Sequence, residues 1–369
     1  NSLSNKMDNS LLAVRDINHK YIVVGIIYMN KRIFSYDFVR AIATVLIVIT
    51  HFNARYIMLG TPIAYSKMII GANVFNIYIG GLGVSLFLII SGASLMATYE
   101  KNLDWRLFWK KRFLSIYPMF WIAYLFAFLH QFMRLHTINQ SIPKRNIFFS
   151  ILGIDGYLAN AGVPTFYILG EWFLGFILII YIIFPLLRFG VLNYPVKTGI
   201  IISLLYIATM VFYNSNFPEN MFIFTRLPEV FFGMYFHKYL KKVNFKVAFL
   251  AVAVLVINTV YSPTFSQNIQ TTYIGIASFL LLSYIGSKLE ANNLIVRICK
   301  VMCKYSYAIF LVHHYIIARL MENFDLNNIT VLESYILFLL IIIVIAIFAR
   351  LLYMVNGYCI DAIGNGKSK

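Results

Sequence analysis

The chain has 369 residues, of which 60% are hydrophobic and only 12% charged, with a mean hydropathy of +0.76. Soluble domains are about 45–50% apolar and about 25% charged, so a soluble enzyme, a disordered protein and a secreted disulfide scaffold are all excluded. Lys and Arg exceed Asp and Glu by 31 to 14. The basic residues cluster at the ends of apolar runs, where membrane topology places them, so nucleic acid is not an expected partner.

The expected fold is an all-α integral membrane protein with about ten transmembrane helices in one bundle. The apolar segments lie near 33–54, 80–98, 113–133, 166–187, 198–213, 226–240, 245–261, 271–287, 305–321 and 331–355. With the N-terminus inside, the inner segments hold 23 Lys and Arg and the outer segments 7, with Arg40 inside the first span. That bias places both termini in the cytoplasm. Residues 1–28 read as an extension, either non-native or interfacial. Their apolar stretch 21–29 is too short to span, and Met29 stands just before the basic flank Lys31–Arg32. Residues 29–355 form the membrane domain and 356–369 a cytoplasmic tail.

An ionised group inside a span costs about 2.5 kcal/mol or more at the bilayer centre, so polar residues there are the informative ones. In the first span Asp37 and Arg40 are three apart, on one face. His51 follows Arg40 by eleven residues, close to three full turns, so the two share a face roughly 16 Å apart along the axis. Gly80, Gly81, Gly83 and Gly92 in the second span permit close helix approach. Lys110, Lys111 and Arg112 form a cationic patch at the start of the third span, suited to phosphates and equally to positive-inside topology.

Glu171 and Trp172 are expected one to two turns inside the fourth span, where the acid needs a partner such as Arg226, Arg134 or a His. Glu229 is the remaining acid near a span. In the ninth span His313 and His314 point about 100° apart, so one of them at most is expected to face the interior. Few buried acids occur, which weighs against an ion-coupled transporter. Cys299, Cys303 and Cys359 are expected as free thiols. Cys299 and Cys303 lack a completing pair, and His130 and His136 lack the His-Glu-x-x-His pattern, so no metal is expected.

Asp37, Arg40 and His51, in the spacing Asp-x-x-Arg-x10-His, resemble the opening of acyltransferase family three. The likeness continues in order through GVSLFLIISG (83–92), KKRFLSIYPMFW (110–121), LGEWFLGFILIIYIIFPLL (169–187), RLPEVFFGM (226–234) and YSYAIFLVHH (305–314). The chain departs from many members at Ser115, where a second Arg is common, and at Ile177, where an acid is common. The resemblance implies a membrane acyltransferase domain over 29–355. It moves an acyl group, most often acetyl, from cytoplasmic acyl-CoA to a hydroxyl of an extracytoplasmic or lipid-linked cell-surface polysaccharide. The implied setting is the bacterial cytoplasmic membrane. Arg40, Lys110, Lys111 and Arg112 would then meet the donor's phosphates, with acetyl-CoA as acyl donor. His51 would act as general base or transient acyl carrier, with Asp37 orienting Arg40. Glu171, Trp172, Arg226 and His313 would line the acceptor side. The competing reading is a glycan or lipid flippase, which needs no thioester chemistry.

Overall fold

The computed structural model describes residues 33–365. The extension expected at 1–28 lies outside the described residues. Ten helices of 13 residues or more follow one another: α1 (Phe34–Ile57), α2 (Ile79–Tyr99), α3 (Trp105–Leu135), α4 (Glu171–Asn193), α5 (Pro195–Phe212), α6 (Ile223–Tyr235), α7 (Phe245–Tyr261), α8 (Gln267–Leu289), α9 (Asn293–Met321) and α10 (Val331–Asn365). They stand where the ten apolar segments were expected. Among the described residues seven of them, α1 to α5, α8 and α10, are long and apolar enough to cross a membrane. Helices α6 and α7 have 13 and 17 residues, and the first half of α9 carries Arg297, Lys300 and Lys304. A two-residue antiparallel ladder pairs β1 (Asn73–Val74) with β2 (Ile77–Tyr78) just before α2.

Several boundaries differ from the hydropathy reading for local reasons. Helix α3 starts eight residues early because the Asp104 side chain accepts the Leu107 N–H and caps it. Helix α4 starts at Glu171, so this residue opens the helix instead of lying one to two turns inside it. Gly170 (φ 95°) and Glu171 (φ 44°) are both left-handed, a conformation that cannot continue an α-helix backwards. Helix α6 ends at Tyr235 and a π-turn continues over Phe236–Leu240. Helix α10 runs on to Asn365, through the stretch read as a tail.

The close approach expected of the second span falls on one glycine above all. A Cβ on Gly92 would lie 2.1 Å from the Val230 carbonyl oxygen, and one on Gly233 would lie 1.9 Å from that of Ile89. The backbones of α2 and α6 therefore touch, which only glycine at both positions allows. Around this crossing Leu88, Met96, Phe176, Phe184, Val230 and Met234 form one core. A second core, of Phe52, Tyr56, Ile317, Phe338 and Ile341, ties α1 to α9 and α10. Helix α1 thus packs between the α2 layer and the α9–α10 pair, and its His51 turn faces α9. Large apolar side chains such as Leu186, Phe212 and Val260 remain 72–80% exposed. That outward face suits lipid, not water.

Candidate functional site

Four polar side chains meet where α1, α4 and α9 converge. The His51 ring lies 4.8 Å from the His313 ring and 4.9 Å from the His314 ring, edge-on to both. Nδ1 of His314 is 2.8 Å from Oε1 of Glu171. One donor atom each from His51, Glu171 and His314 lies within 4.8 Å of the other two, a spacing that could also hold a divalent metal ion. The partner sought for Glu171 is therefore His314. Arg134 instead pairs with Glu322 at 3.5 Å, and Arg226 with Glu229 at 3.0 Å.

The local sequence explains how these groups meet. His51 lies two turns before the end of α1, and His313 and His314 lie two turns before the end of α9. Glu171 opens α4, so the helix N-terminus favours its negative charge. Its left-handed backbone sets the direction of the carboxylate, and a non-glycine residue there costs about 1–3 kcal/mol. Of the adjacent histidines only His313 is fully buried, as their angular offset requires, while the His314 side chain is 44% exposed. His51 nevertheless sits across both, so each ring reaches it. His313 Nδ1 lies 2.8 Å from the Phe310 carbonyl and 3.1 Å from that of Ile309. These contacts assign the proton to Nδ1 and leave Nε2 a buried acceptor with no hydrogen-bond partner among the described residues.

A second group of cations gathers at the opposite end of the bundle. Arg40 lies 3.7 Å from Asp37 and donates to Ser94 Oγ at 2.9 Å, keeping about a quarter of its side chain exposed. Lys110 and Lys111 are exposed. Arg112 is boxed by the rings of Tyr99, Phe108 and Tyr181, each 5.2–5.8 Å from its guanidinium carbon. Arg188, not singled out from sequence, donates to the Tyr99 and Glu100 carbonyls that end α2. Glu100 accepts from Lys238 Nζ at 2.7 Å. The ammonium holds this carboxyl below its ordinary range.

Two expected acceptor-side residues lie elsewhere. Trp172 stands edge-on to Phe173 and Phe176 and packs on the α2–α6 core. Arg226 and Glu229 are 2% and 0% exposed and pair with each other within α6. The structure thus joins His51, Glu171 and His313, adds His314, and leaves Trp172 and Arg226 in the packing between helices.

A family described as an acyltransferase domain matches residues 33–353. The chain belongs to this acyltransferase family. No curated protein and no solved structure gives a match. The match covers every helix that contributes to the histidine cluster and to the cation group. With seven apolar helices long enough to cross, this acyltransferase is a multi-pass membrane protein.

Proposed function

We propose that this acyltransferase moves an acyl group, most often acetyl, from acyl-CoA to a hydroxyl of a cell-surface polysaccharide or its lipid-linked precursor. The observation that carries the reading is the convergence of His51, His313, His314 and Glu171 at one end of the bundle, with a set of cations at the other. Transfer across a bacterial cytoplasmic membrane needs that polarity. The donor's phosphates stay with the cations on the cytoplasmic side while the acyl thioester reaches the histidines near the outer face. The excess of Lys and Arg in the segments on the Arg40 side supports this orientation, with ten spans and both termini inside.

His51 takes the proton of the sugar hydroxyl as that oxygen attacks the thioester carbonyl. The tetrahedral intermediate collapses, the C–S bond breaks, and the departing CoA thiolate receives the proton from the His51 imidazolium. Glu171, beside His314 and within reach of His51, stabilises the imidazolium that forms between these steps. His313 Nε2, buried without a partner among the described residues, accepts a second hydrogen bond from the sugar. At the cytoplasmic end Arg40, partly exposed and steadied by Asp37 and Ser94, meets phosphate together with Lys110 and Lys111. Arg112 sits within its aromatic box and shapes that end from behind.

The test is acyl transfer by the purified protein in detergent or vesicles. It is given radiolabelled acetyl-CoA and surface polysaccharide that mild alkali has stripped of O-acyl groups. Label entering the polysaccharide, dependent on His51, is the expected result. Movement of lipid-linked glycan with no consumption of acyl-CoA would overturn the reading in favour of a flippase.

A further inference from the structure

The loop between α3 and α4 builds a cavity of about 450 Å³ that reaches Tyr167, a neighbour of Glu171. Its lining includes Gln131 and Phe132 from the last turns of α3, Asn139 from the loop, and Thr165, Phe166 and Tyr167 from the segment that leads into Glu171. The size falls within the roughly 300–1,000 Å³ of small-molecule pockets. We infer that this cavity is the acceptor subsite, holding the sugar unit whose hydroxyl is presented to His51. The inference rests on the acyl-transfer reading above.

Three observations carry it. First, the lining pairs aromatic faces and the aliphatic side chains of Leu135, Ile138, Ile142 and Ile168 with amide and hydroxyl groups, and the mixture suits a sugar's C–H face and its ring of hydroxyls. A lipid tail would leave those polar groups without hydrogen bonds. Gln131 is half-buried and makes no hydrogen bond among the described residues, while Asn139 uses its carbonyl oxygen on Ser141 and keeps its amide protons for a ligand.

Second, the wall is preorganised. Tyr124 donates to the Phe166 carbonyl at 2.9 Å, and buried Asn146 donates to the Pro164 carbonyl at 2.6 Å. Thr165 Oγ1 lies 3.4 Å from the Asp155 carbonyl, and the buried Asp155 carboxylate accepts from Ser150 and from the Gly156 N–H. A pocket held in this way loses less entropy when it binds.

Third, the wall is continuous with the chemistry. A Cβ on Gly156 would lie 2.9 Å from the Tyr167 ring and 2.6 Å from the Glu171 backbone carbonyl oxygen, so the ring and the first residue of α4 are packed against one point. Tyr167 lines the cavity and stands beside the Glu171 carboxylate. Tyr167 therefore links the cavity wall to the acid of the cluster.

The experiment measures two-substrate kinetics of the full-length chain in vesicles, with acetyl-CoA and alkali-treated surface polysaccharide as probes. Gln131→Ala and Phe166→Ala are each expected to raise the acceptor KM about fivefold, with much smaller changes in kcat and donor KM. Phe166→Tyr, which keeps the ring, should restore the acceptor KM. Lys144→Ala, on the same loop but outside the lining, serves as the control. Unchanged acceptor KM in both alanine variants at wild-type protein levels would overturn the subsite, as would equal losses for donor and acceptor. If the wild-type protein shows no acyl transfer to any polysaccharide, the functional reading itself fails and the subsite with it.

Discussion

Two of the polar clusters within this bundle are built on opposite principles. Arg226 and Glu229 come from one helix, three residues apart, 2% and 0% exposed, and they neutralise each other at 3.0 Å. His51, Glu171, His313 and His314 come from three helices and keep partial exposure at His51, Glu171 and His314. They also hold a left-handed backbone at the acid, which the pair within α6 lacks. The lesson concerns intramembrane charge. A closed pair, formed within one helix and sealed from solvent, belongs to the architecture. An open cluster, strained and partly exposed, is where a substrate can enter.

That contrast breaks first at the closed pair. Glu229→Ala leaves the Arg226 guanidinium buried without its counter-charge, a change that costs about 3–5 kcal/mol. Thermal unfolding in detergent and membrane abundance should both fall, and acyl transfer should fall only in proportion to folded protein. A stable Glu229→Ala protein lacking activity would move the pair into the site.

At the open cluster the pattern should reverse. His51→Ala is expected to cut transfer about 100-fold or more at matched protein levels, with unfolding temperature nearly unchanged. Near-normal transfer would remove His51 from the chemistry. Arg40→Ala should act more mildly and differently, raising the donor KM about tenfold because one charge-assisted phosphate contact is lost. A loss confined to kcat would mean that Arg40 does not meet the donor.

Metal addition sharpens the comparison further. Donor atoms of His51, Glu171 and His314 converge within 4.8 Å, so Zn2+ should bind them and block the His51 base. Micromolar Zn2+ is expected to inhibit transfer several-fold and reversibly, with chelator restoring the rate and His314→Ala weakening the inhibition. Indifference to Zn2+ would show that the three groups do not converge in solution.

The smallest effect belongs to the Arg40 end of the bundle. Lys238 depresses the Glu100 carboxyl in the folded protein, so this pair contributes stability above the ordinary carboxylate range and loses it as pH falls through the depressed value. Glu100→Gln should flatten the acid side of the unfolding-temperature profile slightly. An unchanged profile would mean that the contact is fully screened.

Much of the frame could be read from residue order. Hydropathy located the ten longest helices of the described residues, because long apolar runs have few other uses. The glycines of the second span announced a close crossing, although only a partner helix could reveal that Gly92 meets Gly233. The site was half legible. His51 and His313 were visible as polar residues in apolar spans, but His314 was discounted because adjacent helical residues diverge. It reaches His51 because the ring of another helix sits across both directions, a tertiary fact with no local signature. Arg226 offers the opposite lesson. Its three-residue spacing to Glu229 was present in RLPE, and that local signal outweighed any long-range role.

The left-handed backbone at Glu171 has an evolutionary consequence. Glycine adopts φ 44° without strain, so Glu171→Gly relieves the cost carried by the acid and is expected to raise thermal stability while abolishing efficient transfer. Selection for sturdiness alone would erase this residue, and selection for turnover must keep restoring it. The position therefore marks a stability–activity conflict at a single backbone angle. A library scored separately for expression and for acylation should drive it in opposite directions.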